Sequence, residues 1–252
     1  MGTVKDTSED SWLAQNLRWT SFSTEPGPVD PLSWWKDLIG QPPEASVSRA
    51  DMGLQQQEGP FGSGRLSLVL LPGRIDWHLN PAPNPAGNEA ILNLGSYAAA
   101  VQSLRPLLLR WFEICPTPMR VALGAVLIQS VPNLRTGYER LANYLKGSVR
   151  VDSEGSSEFT YSINRPRPSR IGSFNMNRLS KWLVAAAQTL QIAAAAGTAQ
   201  PAVVRTQYFC RLELDMSTPA GLNQGLLRPQ LTAIFDEMVA LGGEIASKGD
   251  IP

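Results

Sequence analysis

One histidine and two cysteines in 252 residues leave almost nothing from which to build a metal centre. Zinc sites draw four ligands mainly from those two residue types, and Cys115 and Cys210 are too few and too far apart to suggest one. We expect both to be reduced core thiols rather than a disulfide. Net charge is missing too: 22 basic and 22 acidic side chains cancel, which removes any global pull toward nucleic acid or anionic lipid. No apolar run reaches membrane-spanning length and no signal peptide is recognisable, so a cytoplasmic protein without membrane contact is expected. The chain also lacks a Walker loop, a dinucleotide fingerprint, a nucleophile elbow and HExxH. Gly62-Ser63-Gly64 has neither the spacing nor the following helix of a phosphate loop. No metal and no cofactor are therefore expected.

What is present is core. Apolar residues make up 43% of the chain, enough to bury a substantial interior without staples. The run from Arg120 to Ser130, RVALGAVLIQS, is apolar at both odd and even positions, and its β-branched residues, Gly124 and the closing Val131-Pro132 favour a strand over a helix. It reads as a central strand covered on both sides.

Around it the punctuation predicts further elements. Asp30-Pro31 opens a short helix that Gly40 closes. The stretch from Ser48 to Glu58 reads as a weak edge strand, interrupted by Asp51 and Gly53. Residues 65–70 and 75–79 form a hairpin through Leu71-Pro72-Gly73-Arg74. Ser96 caps a helix carrying Val101, Leu104, Leu108 and Trp111, with a kink or restart at Pro106. A second helix starts at Pro132 or Asn133 and ends at Gly147. Residues 182–196 read as helix or strand, with strand preferred because residues 203–216 form a long strand that needs neighbours. A last helix spans about 223–241, stopped by Gly242-Gly243. The fold class is α+β: mixed or antiparallel sheets with amphipathic helices against them, in two closely associated halves, 1–150 and 151–252, divided near Asp152 to Ser157.

Four groups of residues carry chemical interest. Asp76 and His78 share the solvent side of one strand, with no serine or cysteine placed to complete a triad. Glu213 and Asp215 decorate the polar side of the long strand, where cross-strand pairing explains them more simply than catalysis. Trp34-Trp35 can anchor a protein partner or pack in the core. Between Phe159 and Lys181 lie five cations, Arg165, Arg167, Arg170, Arg178 and Lys181, and no acidic residue. On a proline-stiffened loop these suit phosphate, carboxylate or an acidic protein surface, or else they are paired internally.

The segments ILNLGSYAAAVQSLRPLLLRWFE, LGAVLIQSVPNLRTGYERLANYL, YSINRPRPS and FCRLELDMST, with Asp215 to Thr218 reading Asp-x-x-Thr, resemble a family of uncharacterised, sporadically distributed bacterial proteins of about this size. The resemblance covers mainly residues 60–218. It implies a fold and a bacterial origin, and no catalytic residue. Sporadic occurrence associates such genes with mobile elements or phage defence.

The leading expectation is a non-enzymatic interaction or accessory protein, a subunit of a bacterial complex, in which the arginine-rich segment and Trp34-Trp35 meet a protein partner. The second is nucleic-acid or nucleotide binding through the 165–181 cations. The third is an enzyme that works with carboxylates alone.

Overall fold

The computed structural model describes residues 11–24, 31–83, 91–195, 198–222 and 224–251. The expected frayed start at 1–10, the Asp30 cap, Ala196 and Asn223 lie outside them.

Strict alternation makes the first strand, β1 (Leu13–Phe22): Leu17 and Trp19 are fully buried on one side, while Asn16 and Arg18 occupy the other. The short helix α1 (Pro31–Ile39) follows and stops at Gly40, whose φ of +78° suits a residue without a Cβ. The expected single edge strand is instead a hairpin. Asp51 and Gly53, which weaken a strand, form the turn between β2 (Ala45–Arg49) and β3 (Leu54–Phe61). β4 (Gly64–Leu71) and β5 (Arg74–Pro81) form the predicted hairpin, with Gly73 at φ +72° in the turn.

Ser96 caps α2 (Tyr97–Ile114) by accepting from the Ala99 N–H. The helix runs unbroken through Pro106. Burial of Leu104, Leu107 and Leu108 outweighs the proline cost: each buried leucine contributes about 1.5–3 kcal/mol, against about 3 kcal/mol for the proline. Next come the central strand β6 (Arg120–Val131), α3 (Leu134–Tyr144) capped by Asn133, β7 (Thr160–Asn164) and the short β8 (Arg167–Pro168). β9 (Asn175–Ala195) and β10 (Thr198–Ser217) complete the sheet, so the ambiguous 182–195 stretch is strand. The last helix, α4 (Arg228–Lys248), does not stop at Gly242-Gly243. A Cβ on Gly242 would stand 2.8 Å from the Tyr97 hydroxyl, so the missing side chain serves helix packing instead of termination.

The strands form one ten-stranded sheet, in the order β2-β3-β4-β5-β1-β6-β10-β9-β7 with β8 also on β9, and every pairing is antiparallel. The α+β class is therefore as expected, with amphipathic helices on a large antiparallel sheet. The chain also runs twice through one plan, strand, helix, four strands, helix, changing over between α2 and β6. The boundary expected near residue 150 falls in the loop after α3. β1 and β6 are antiparallel neighbours at the middle of the sheet, flanked by β5 and β10; the outer strands differ, since β2 pairs with β3 whereas β7 and β8 both pair with β9.

The four helices among the described residues all pack on one face. Trp35, Trp77 and Trp111 bring α1 and α2 onto the first half, with Trp77 and Trp111 ring centres 5.7 Å apart. Trp19 sits between Phe112 of α2 and Phe235 of α4, at 5.0 and 5.8 Å. Trp12, Tyr144 and Trp182 close the second half. This aromatic chain makes a single core across both halves. β6 is covered by helices on one side only, contrary to the expectation of cover on both. On its other side Ala122, Gly124 and Ile128 are buried and Val126 is part-buried, and the Arg18 side chain lies over Gly124.

Candidate functional site

The face opposite the helices carries no helix among the described residues. Strand register places His78, Arg18, Gly124, Asp215, Leu179 and Asn164 in one row across five strand boundaries. At the centre of that row Gly124 has no side chain, and the Arg18 guanidinium lies over it: a Cβ there would be 3.4 Å from Nε and Nη2. Arg18 Nη2 approaches Asp215 Oδ2 at 3.6 Å, both side chains being one-third exposed. One row away, Glu213 receives Arg211 at 2.9 Å and Lys181 at 3.7 Å. Asn16, Arg18, Lys181, Glu213 and Asp215 line a groove of about 250 Å³.

Charge continues toward β5. Asp76, expected on a solvated surface, is only 2% exposed. It accepts a hydrogen bond from the Thr20 hydroxyl and pairs with Arg74 at 2.7 Å. Arg74 and Arg120 both lie over the Phe22 ring, 5.8 and 5.2 Å from its centre, a cation–π arrangement that covers the carboxylate's end of the sheet. Two residues along, burial holds the His78 imidazole below its ordinary pKa, with Asp76 opposing and Arg18 and Arg74 reinforcing.

Glu213 and Asp215 stand two residues apart on one strand face, roughly 6.5–7 Å along the backbone, a spacing that water-mediated carboxylate catalysis can use. The groove argues against it. Its volume lies below the ~300–1,000 Å³ of small-molecule sites, and each carboxylate already has a cation. No group of three histidine, cysteine or acidic residues able to hold a metal occurs among the described residues.

The five sequence-predicted cations do not form one surface. Arg165 makes a side-on pair with Asp250, Nε to Oδ1 at 2.6 Å and Nη2 to Oδ2 at 2.9 Å, and the Tyr161 hydroxyl donates to the same carboxylate. Arg167 donates to Glu244 at 2.7 Å. The Arg170 N–H and the Ser169 hydroxyl both donate to Glu237. Thus α4 and the residues after it supply the acidic partners that residues 159–181 lack. Arg178 is buried beneath α4, and its Nε and Nη2 have no hydrogen-bond partner. Each unmet donor costs about 1–3 kcal/mol. Desolvation lowers the Arg178 pKa, and nearby Arg167 adds to the effect. Lys181 faces the opposite, open side with Glu213.

Trp34 and Trp35 are inside: Trp34 packs edge-on against Trp111 at 4.7 Å and Trp35 stacks near Trp77. Their indoles are core, leaving no aromatic anchor at that position for a partner. Arg18, the central residue of the open face, escaped the sequence reading. Its signal was available in the alternation of β1, which sets Asn16, Arg18 and Thr20 opposite Leu17 and Trp19.

No helix among the described residues is long and apolar enough to cross a membrane. No family model matches the chain, and no curated protein matches it, so geometry alone carries the functional reading.

Proposed function

We propose that this chain is a non-enzymatic interaction protein, an accessory subunit, whose protein partner docks on the helix-free face of the sheet. The observation that carries the reading is the one-sided architecture: four helices on one face and, among the described residues, a belt of paired charges with no covering element on the other. Eight inter-strand gaps of ~4.8 Å and strands of about eight residues give a face on the order of 1,000 Å², against the roughly 800 Å² per partner of a specific complex. Signs alternate at the centre, where Asp215 and Glu213 interrupt the cations. That pattern fits a protein surface of mixed charge and repels a run of phosphates.

A cytoplasmic setting is supported by Cys115 and Cys210, both buried free thiols. Burial pushes the Cys210 thiol up to about 12, which keeps it unreactive. Membership of a bacterial complex, phage-defence systems included, rests on the family resemblance.

The test is site-specific photo-crosslinking in cells, with p-benzoylphenylalanine at Val126 on the open face or at Gln102 on the exposed side of α2. The captured protein is then purified and its Kd measured with the purified chain. The reading expects one protein captured from Val126 and not from Gln102, with affinity falling at least tenfold in Gly124→Val. Equal capture from both positions would sink it. Salt-sensitive nucleic acid on the same face would transfer the site to phosphate recognition.

A further inference from the structure

β9 and β10 outrun the rest of the sheet. β7 pairs with β9 only as far as Leu183, and β6 pairs with β10 only from Tyr208 onward. Beyond those points, from Ala187 opposite Gln207 to Ala195 opposite Thr198, the two strands pair with each other alone among the described residues. Helical cover stops at the root of this arm: α3 reaches Val184, which fills the space a Gly137 Cβ would take, whereas Ala186 and Gln188 are exposed. A ribbon of two strands is marginally stable in water and gains from further strands. Residues 182–204 also contain no charged side chain. Natural sheets keep free edges short or guard them with charge and proline. β2 has five residues and ends in Arg49, and β7 has five residues and runs toward Pro166. On the arm, the β10 edge carries Pro201, which has no N–H, and Arg205; its root shares a cavity of about 470 Å³ with Ile91 and Asn93. The outer edge of β9 from Val184 to Ala195 is long and has neither guard.

We propose that this β9 edge pairs antiparallel with the same edge of a second copy of the chain, joining two arms into a four-stranded sheet about a twofold axis at Leu190. A twofold axis in an antiparallel ladder passes through a directly opposed pair of residues. Centred on Leu190, residues 185–195 of one copy lie against the same residues of the other, an overlap at least as long as that of β1 with β6. The edge suits a copy of itself because it has no charge, so the pairing sets no like charges against each other. The backbone groups that point away from β10 along this edge gain partners, and each marginal ribbon gains the two strands it lacks.

Light scattering of the full chain after gel filtration should give the mass of two copies at micromolar concentration. In the register centred on Leu190, position 187 lies opposite the partner's Ala193. Ala187→Lys with Ala193→Lys therefore opposes like charges and should weaken the dimer at least tenfold, while Ala187→Lys with Ala193→Glu opposes unlike charges and should restore it. The restored pair is also the folding control, since it alters the same two positions. Directly opposed residues have Cα atoms roughly 4.5–5.5 Å apart, within disulfide reach. Leu190→Cys should accordingly form an intermolecular disulfide in air, and Gln200→Cys on β10 should not; Cys115 and Cys210 are buried and do not compete. A monomeric wild-type chain, equal weakening by both double variants, or crosslinking from Gln200→Cys as readily as from Leu190→Cys would each overturn the proposal. So would a monomer that sediments with phosphatidylcholine vesicles, which would assign the arm to a lipid surface. The arm is separate from the open-face positions used to capture a partner, so its failure leaves the docking reading standing.

Discussion

Arg18 and Asp215 meet at 3.6 Å across Gly124, on strands β1 and β10 that do not touch each other. The strand between them contributes no side chain at that row, and the guanidinium lies flat over the gap. The pair thus depends on an absence, and the open face can be disrupted without altering either charge.

Gly124→Val should displace Arg18 while leaving the fold intact, because valine suits a strand and the clash is with the flexible end of an arginine. Far-UV circular dichroism should be unchanged and partner affinity should fall at least tenfold. A variant that binds normally would show that the Arg18–Asp215 arrangement is incidental.

Asp250 is the chief acidic partner of the arginine-rich segment, with a side chain only 3% exposed. Desolvation opposes its ionisation, yet hydrogen bonds from Arg165 and Tyr161 hold its pKa below the ordinary value. A depressed folded-state pKa contributes stability above the unfolded value of about 3.9, lost as pH falls through the folded value. Asp250→Asn should therefore cost about 2 kcal/mol at pH 7, discounting the buried-pair range because Arg165 is part-exposed. In urea melts the difference from wild type should shrink below about pH 4. A constant difference down to pH 2 would contradict it.

His78 is the chain's single histidine, so its ring proton resonances can be followed by NMR without ambiguity. Burial lowers its pKa, and the titration midpoint should lie below about 6.5. The unfolded chain then binds the proton more readily, so stability is retained above about pH 6.5 and declines as pH falls toward the folded midpoint. His78→Gln should flatten that segment of the curve. A midpoint above 6.5 would reverse the sign.

Thr20 supplies the hydroxyl that donates to the buried Asp76. Thr20→Val keeps the shape and removes the donor, leaving Asp76 to Arg74 alone. A loss of about 1–2 kcal/mol is expected in urea denaturation. A neutral result would mean that Arg74 compensates fully.

Gly249 ends α4 at φ +84°, and a Cβ there would stand 1.9 Å from the Tyr144 carbonyl oxygen. Gly249→Ala should lower stability by at least about 1–3 kcal/mol, because backbone strain and a backbone clash act together. It should also weaken the Asp250 contacts one residue on. An unchanged melting temperature would show that the chain end relocates freely.

Much of the fold was legible because local periodicity and turn chemistry are written within a few residues. Alternation marked β4, β5 and β10. Pro72-Gly73 marked their hairpin turn, and Ser96 and Asn133 marked helix starts. Gly242-Gly243 misled because a glycine that admits a neighbouring tyrosine looks, in sequence, like one that ends a helix. The central strand was placed correctly, but its second face was not, since an apolar residue such as Ile128 that is buried on a helix-free face resembles, in sequence, one under a second layer.

Composition and pattern by themselves determined the α+β class and a central strand at 120–130. Tertiary structure alone decided which face is bare and which cations remain available. Arg165 and Asp250 are 85 residues apart, Thr20 and Asp76 are 56 apart, and Arg178 lies under a helix formed long after it in the chain. Periodicity can say that a side chain points up or down, but strand order and helix placement say what it meets there.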